Sequence, residues 1–301
     1  MPAARGSSAA RKTRPRRRPA ATAASDGGAP LRIAHAYGNT RERLKTALDE
    51  ATVDAIELDV WYRGGEIWVR HERRLDPLPL LVDKRMRGHA LPPLSLPLGK
   101  RLYVRLDFNR LKLDDVLATV AGKKRLLVDL KGAYHAQRNL DFARAVVRTI
   151  REHSAESWVS VCGQFWLILD DVRRQASDLE VRYSVERVYQ WEKFMRLVGE
   201  DERVRRVCIE HRFLNEERTR FIEDRGVNLF CWTVDNPEEA GRLVAAGADG
   251  IISNDLALLA KLHDVSHQAQ LKAPASRPTV GDQVDGRRLK GGDHGRAGSE
   301  R

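Results

Sequence analysis

Between Leu31 and His263 the chain repeats one unit, a short apolar run followed by a segment whose apolar residues recur at helical spacing. Eight runs read as strands: LRIAHA (31–36), DAIELDV (54–60), RLLVDLK (125–131), SWVSVCG (157–163), LEVRYSV (179–185), RRVCIEH (205–211), VNLFCWTVD (227–235) and DGIIS (249–253). Helical spacing occupies 40–51, 139–153, 163–176, 215–226 and 236–247; the last opens on Asn236-Pro237 and stops at Gly247. Strands alternating with helices imply a parallel sheet with right-handed crossovers. Closed on itself, such a sheet is a (β/α)8 TIM barrel, and the roughly 233 residues of 31–263 suffice for a compact one. The rival, an open doubly wound sheet, usually carries a Gly-rich phosphate loop after its first strand, and HAYGN is not one.

Residues 61–112 break the rhythm. EIWVR reads as a short extra strand returning toward the barrel mouth, and Pro77, Pro79, Pro92, Pro93 and Pro97 exclude a long helix. An extended loop with an extra strand after the second strand can be a lid, a substrate-shaping element or a structural brace.

Charge divides the chain further. The 301 residues hold 53 Lys+Arg and 42 Asp+Glu, a net of +11. Residues 1–30 carry +6 and 264–301 carry +2, which leaves +3 on 31–263. Both ends lack a spaced apolar face and read as disordered tails, the first basic and the second polar, around one barrel domain at 31–263. RKTRPRRR at 11–18 offers a weak electrostatic contact to an anionic membrane or nucleic acid. No stretch approaches the roughly 18 apolar residues of a transmembrane span, and no apolar run of a secretory signal precedes Leu31. Cys162, Cys208 and Cys231 sit inside apolar runs without Cys-x-x-Cys spacing, which suggests reduced core thiols, argues against zinc, and points to a cytoplasmic protein, open to peripheral membrane contact.

The chemistry concentrates at strand ends, where such barrels carry their active sites. In DAIELDV, Glu57 and Asp59 share one face, while Ile56, Leu58 and Val60 share the other. A barrel strand is covered on both sides, so the apolar face meets the helices and the carboxylates aim inward. Asp129 adds a third acid near the end of its strand, with Lys131 two residues on and on the same face. Clustered carboxylates need a cation, and hard oxygen donors select Mg²⁺ or Ca²⁺. With Lys131 beside them they suit an anionic, phosphate-bearing substrate, although a core ion pair would also explain Lys131. His35 ends the first strand and His71 follows EIWVR; together they form a candidate general acid and base. Glu210, His211 and Asn254 also end strands; Glu210 would suit a cationic substrate group and Trp232 a cation–π face, or all could be ordinary polar filling. His89 has no metal-ligand spacing with His71.

These pieces carry a resemblance. IAH at 33–35, IELDV at 56–60, VRHERRL at 69–75, LLVDLK at 126–131 and WTVDNPEEAGRLVAAGADGIISND at 232–255 resemble the glycerophosphodiester phosphodiesterase family in order and spacing. The resemblance implies a (β/α)8 barrel that binds one divalent cation and hydrolyses a small-molecule or lipid-derived phosphodiester, such as a glycerophosphodiester or lysophospholipid, to an alcohol and a phosphomonoester. By it, Glu57, Asp59 and Asp129 would hold the cation, His35 and His71 would exchange protons, Lys131 would contact the phosphate, and Trp232 would line the pocket. The chain departs from that pattern at His35-Ala36-Tyr37, where the family has His-Arg-Gly, and at Asp129, where it has Glu. Ala36, Asn39 and Asp-Leu-Lys at 129–131 are instead similar to sphingomyelinase D-type phospholipases, which implies an alternative route through a cyclic phosphate. A barrel that binds phosphoesters without turnover is the third reading.

Overall fold

The computed structural model describes residues 29–84, 91–92, 94–108 and 110–262. The tail expectations for 1–28 and 264–301, and His89, lie outside the described residues. All eight sequence-predicted strands form. They are β1 (Leu31–Ala34) and β2 (Ala55–Arg63), with helix α1 (Arg41–Asp49) between them. The insertion then contributes β3 (Glu66–Val69), β4 (Arg73–Arg74), β5 (Leu80–Lys84), β6 (Ser95–Leu98) and β7 (Leu102–Leu106). From α2 (Leu113–Val120) the alternation is regular: β8 (Arg125–Leu130), α3 (Ala136–Glu152), β9 (Val159–Gly163), α4 (Trp166–Gln175), β10 (Glu180–Val185), α5 (Val188–Glu200), β11 (Arg206–Glu210), α6 (Glu216–Asp224), β12 (Asn228–Trp232), α7 (Pro237–Ala245) and β13 (Gly250–Ser253).

Eight parallel strands close a ring in the order β1-β13-β12-β11-β10-β9-β8-β2, sealed where Ile33 pairs with Ala55 and Ala34 with Ile56. This is the TIM barrel. β3 runs antiparallel to the far end of β2, outside the ring. Helices α2 and α5 go beyond the segments singled out from spacing, and α3 starts three residues earlier than its apolar pattern, after His135 accepts from the Arg138 amide.

Alternation along each strand divides the core in two. Ile56, Leu58, Val60, Leu126, Val128 and Leu130 face outward into the layer under the helices. Ile33, Ala55, Leu127, Cys162, Cys208, Phe230 and Ile252 fill the barrel interior. Below them the Arg182 guanidinium stacks on Phe230, 3.4 Å from the ring centroid, and pairs with Glu180 at 2.6 Å. All three cysteines are buried free thiols.

The insertion is more structured than its sequence suggests. Beyond the expected extra strand β3, it folds a four-stranded antiparallel sheet in the order β4-β5-β7-β6. Pro97 sits in β6, an edge strand, where the missing amide hydrogen breaks no ladder.

Candidate active site

The acids meet at the C-terminal end of the barrel because of register. Asp59 on β2 pairs directly with Asp129 on β8, and Glu57 lies two residues before Asp59 on the same inward face. One oxygen from each of the three lies within 4.8 Å of the others. Asp59 is 1% exposed and Glu57 is also buried. Burial, then the negative charges of Asp59 and Asp129, push the Glu57 carboxyl well above its usual range. Burial opposes ionisation of Asp59 as well, yet Lys131, His71 and a hydrogen bond from Asn39 hold it ionised, below its usual value. Lys131 Nζ contacts Asp129 and lies 2.8 Å from Asp59 Oδ1. Burial works against that ammonium, but Asp129, Asp59 and Glu57 together keep it firmly protonated.

The segment after β1 clamps this cluster from above. The Ala36 amide donates to Glu57 Oε2 at 2.6 Å. Asn39 makes a reciprocal pair with Asp59, its Nδ2 donating to Oδ2 at 2.6 Å and its Oδ1 accepting from the Asp59 amide at 2.8 Å. Gly38 is required between them: a Cβ there would stand 2.5 Å from the Leu58 Cβ.

His35 and His71 flank the cluster in opposite electrostatic settings. Asn254 donates from its amide nitrogen to Asp235 at 2.8 Å, so its Oδ1 faces His35 Nδ1 at 2.9 Å and must accept a hydrogen bond from it. That fixes the neutral tautomer with Nε2 bare, 3.9 Å from Glu57. Burial chiefly lowers the His35 pKa below its usual value. His71 Nδ1 instead hydrogen-bonds Asp83 of β5, and that bond foremost raises its pKa to about 9. The residues beside His71 are locked in turn: Arg70 pairs with Asp107 at 2.8 Å, and Glu72 with Arg105 of β7 at 2.6 Å. VRHERRL is therefore a presentation segment, stitched on both sides of the histidine to the insertion sheet.

Both histidines line one cleft of about 1140 Å³, roofed by Asp83, Arg105 and Phe108 of the insertion. Glu210 and Trp232, paired in register on β11 and β12, line a neighbouring cleft of about 600 Å³ that shares His35, Arg43 and Asn254 with the first. Glu210 is already engaged by Arg212 at 2.6 Å, and His211 by Glu239 at 3.1 Å. Two site residues escape a sequence reading. Asp83 is a lone acid in the apolar run LLVDK, and that alternation is its one signal. Arg43 reaches back from α1 to donate to the His35 carbonyl at 3.2 Å and stacks on Tyr37, 4.2 Å from the ring centroid. Among the described residues no carboxylate pairs with it, and it faces both clefts.

The acid cluster fits a divalent cation. Its donors are all carboxylate oxygens, and Asp129 Oδ1 is buried without a hydrogen-bond partner.

Comparison with known proteins agrees with this geometry. Residues 27–258 match the glycerophosphoryl diester phosphodiesterase family. A glycerophosphodiester phosphodiesterase of Caldanaerobacter subterraneus subsp. tengcongensis is 25% identical over 229 residues, covering 72% of this chain and 88% of its own. One from Arabidopsis thaliana is 23% identical over 240 residues, covering 75% of this chain and 71% of its own. Among solved structures, a glycerophosphodiester phosphodiesterase from Parabacteroides distasonis superposes with a TM-score of 0.58 at 19% identity, covering 81% of this chain and 99% of that one. An Oleispira antarctica phosphodiesterase in complex with the product sn-glycerol-3-phosphate gives 0.57 at 16% identity, covering 78% and 97%.

Proposed function

The chain belongs to the glycerophosphoryl diester phosphodiesterase family and is a phosphoric diester hydrolase, and from that premise we propose that it cleaves glycerophosphodiesters or lysophospholipid-type phosphodiesters with His35 as base and His71 as acid. The observation that carries the assignment is the opposite setting of the two histidines on either side of one acidic cluster. A divalent cation held by Glu57, Asp59 and Asp129, Mg²⁺ or Ca²⁺ by the hardness of the donors, would supply positive charge to the nonbridging phosphoryl oxygens.

The chain's own groups account for the proton traffic. His35 Nε2 accepts a proton from the attacking water as the water oxygen bonds to phosphorus. The bond from phosphorus to the leaving alcohol breaks, its electron pair stays on that oxygen, and His71 Nε2 protonates it. Lys131 and Arg43 neutralise phosphoryl charge from two sides, Arg43 standing in for the arginine that the family carries where this chain has Ala36. Trp232 and Glu210, in the adjoining cleft, would receive the alcohol, with Trp232 offering a face to a cationic head group.

Purified protein with glycerophosphocholine and Mg²⁺ or Ca²⁺, followed by phosphorus NMR, tests the reading. A phosphomonoester signal lost on chelation and in His35→Ala is expected; unchanged turnover in His35→Ala would sink the assignment. Ala36, Asn39 and Asp129 favour the second reading, in which a hydroxyl of the substrate attacks, and a cyclic phosphate signal in the same spectra would establish it. The buried free thiols suit a reducing compartment such as the cytoplasm, which imaging of the tagged full chain checks.

A further inference from the structure

The insertion sheet is inside out. Directly paired residues of antiparallel strands share a face. Leu80 pairs with Leu106, Val82 with Val104, Leu96 with Val104, Leu98 with Leu102, and Lys84 also with Leu102, so one face of β5-β7-β6 is aliphatic except for Lys84 at its edge. The other face carries Leu81, Asp83, Tyr103 and Arg105, and it is this face that turns toward the site, through Asp83 to His71 and through Tyr103 and Arg105 to Glu72. The polar side is thus buried against the site, and the aliphatic side is left to solvent, with Leu96 at 69% and Leu98 at 53% exposed. Leaving such a face wet forfeits the main gain of folding a sheet.

Two observations say what covers it. Residues 61–112 hold twelve Lys+Arg and five Asp+Glu, a net of +7, so the remainder of 31–263 carries −4. Lys100 and Arg101, both exposed, form the tip between β6 and β7 at the border of the aliphatic face. Further round, Phe165, Leu167, Val188 and Tyr189 are also exposed, just after β9 and β10. Parallel strands end together, so this second apolar cluster lies at the same end of the barrel as the acid cluster and the two histidines. An aliphatic face rimmed by cations matches the headgroup and acyl boundary of an anionic bilayer. A second copy fits poorly, because it would bring two segments of net +7 together. The chain's ends fit no better: residues 1–28 contain no Val, Ile, Leu or aromatic residue, and in 263–301 no two of Val, Ile and Leu alternate.

We propose that the outer face of the β5-β7-β6 sheet docks this protein on an anionic lipid bilayer, with its leucines in the acyl boundary and Lys100 and Arg101 at the lipid phosphates. The mouth of the active-site cleft, with Phe108 at its rim and 61% exposed, then borders the lipid surface. The surface goes beyond the catalytic reading and is tested apart from it.

Flotation of the full chain with phosphatidylcholine vesicles containing phosphatidylglycerol, at about 0.5 M NaCl to screen the basic tail, should recover the wild type. L96D/L98D should reduce binding at least about tenfold, and K100E/R101E should weaken it at lower salt. Both variants change exposed residues and should hydrolyse a soluble aryl phosphodiester at the wild-type rate, which also shows them folded. Vesicle binding equal in L96D/L98D and wild type, or no binding by the wild type, overturns the proposal. So does a wild-type dimer in gel filtration that L96D/L98D splits. Vesicle binding without turnover would remove the catalytic reading and leave the surface standing.

Discussion

His35 and His71 sit at one mouth, and their second partners decide which carries the proton. Asn254, itself held by Asp235, can only accept from His35, whereas Asp83 favours a charged His71. The base must be neutral, so activity should rise as pH climbs through the lowered His35 pKa, below 6.5. The acid must be protonated, so activity should fall as pH passes about 9. Asp83→Asn removes the main cause of the raised value and should draw the alkaline limb back toward 6.5; a pH profile of kcat/KM that does not move would free Asp83 of that role. Arg43→Ala removes a charge-assisted contact of about 1.5–3 kcal/mol, so kcat/KM should fall about 10- to 100-fold, with partial recovery in Arg43→Lys. The acids, both histidines and Lys131 were legible because each lies within or beside a patterned strand. Asp83 and Arg43 were not, because their relevance comes from contacts across the insertion and from a helix folding back over β1. Asn254 stood out only as a strand end; its tie to His35, 219 residues away, exists because β13 pairs with β1.

At the level of elements, the ring was readable and the insertion was not. Barrel strands announce themselves by an apolar outer face under helices and an inner face that changes from apolar to acidic toward the C-terminal end, as in Ala55, Glu57 and Asp59. The insertion strands are short and interrupted by prolines. Their polarity is also inverted, so LYVRL and SLPL signal no core. Prolines correctly excluded a long helix there, but one extra strand was too modest an expectation for what is β3 and a separate sheet. The turn between β1 and α1 shows how tightly an element can be bound to the site. Gly38 lies against Leu58, on the strand that carries both Glu57 and Asp59, and Asn39 beside it grips Asp59. Gly38→Ala should cost about 1–3 kcal/mol by overpacking and should also depress kcat, since relief requires the turn or β2 to shift. Urea denaturation and turnover, measured on the same preparation, check both. A variant as stable and active as wild type would mean that the turn is looser than its contacts imply.

Across the whole molecule, charge is segregated along with apolar surface. The insertion gathers cations and exposed leucines at the mouth, while the cluster below concentrates three acids around one ammonium. That concentration ties function to stability. Glu57 has a raised pKa in the fold, so without a cation the protonated form supports the native state, and that support is lost as pH rises from the usual 4.5 through the raised value. The metal-free protein should therefore lose stability with rising pH over this range. A bound divalent cation should reverse the loss: at about 100 times its Kd it contributes about 2.7 kcal/mol, or about 5–10 °C in Tm for a domain of this size. Glu57→Gln separates the two effects. It removes the repelled carboxylate, so the metal-free Tm near neutral pH should equal or exceed that of wild type, while the shift on adding Mg²⁺ or Ca²⁺ should shrink to a fraction. Thermal scans with and without chelator at two pH values read both. If Glu57→Gln kept the full cation shift, the ion would be held elsewhere, and Glu57 would be a proton-storing neighbour of the site instead of a ligand.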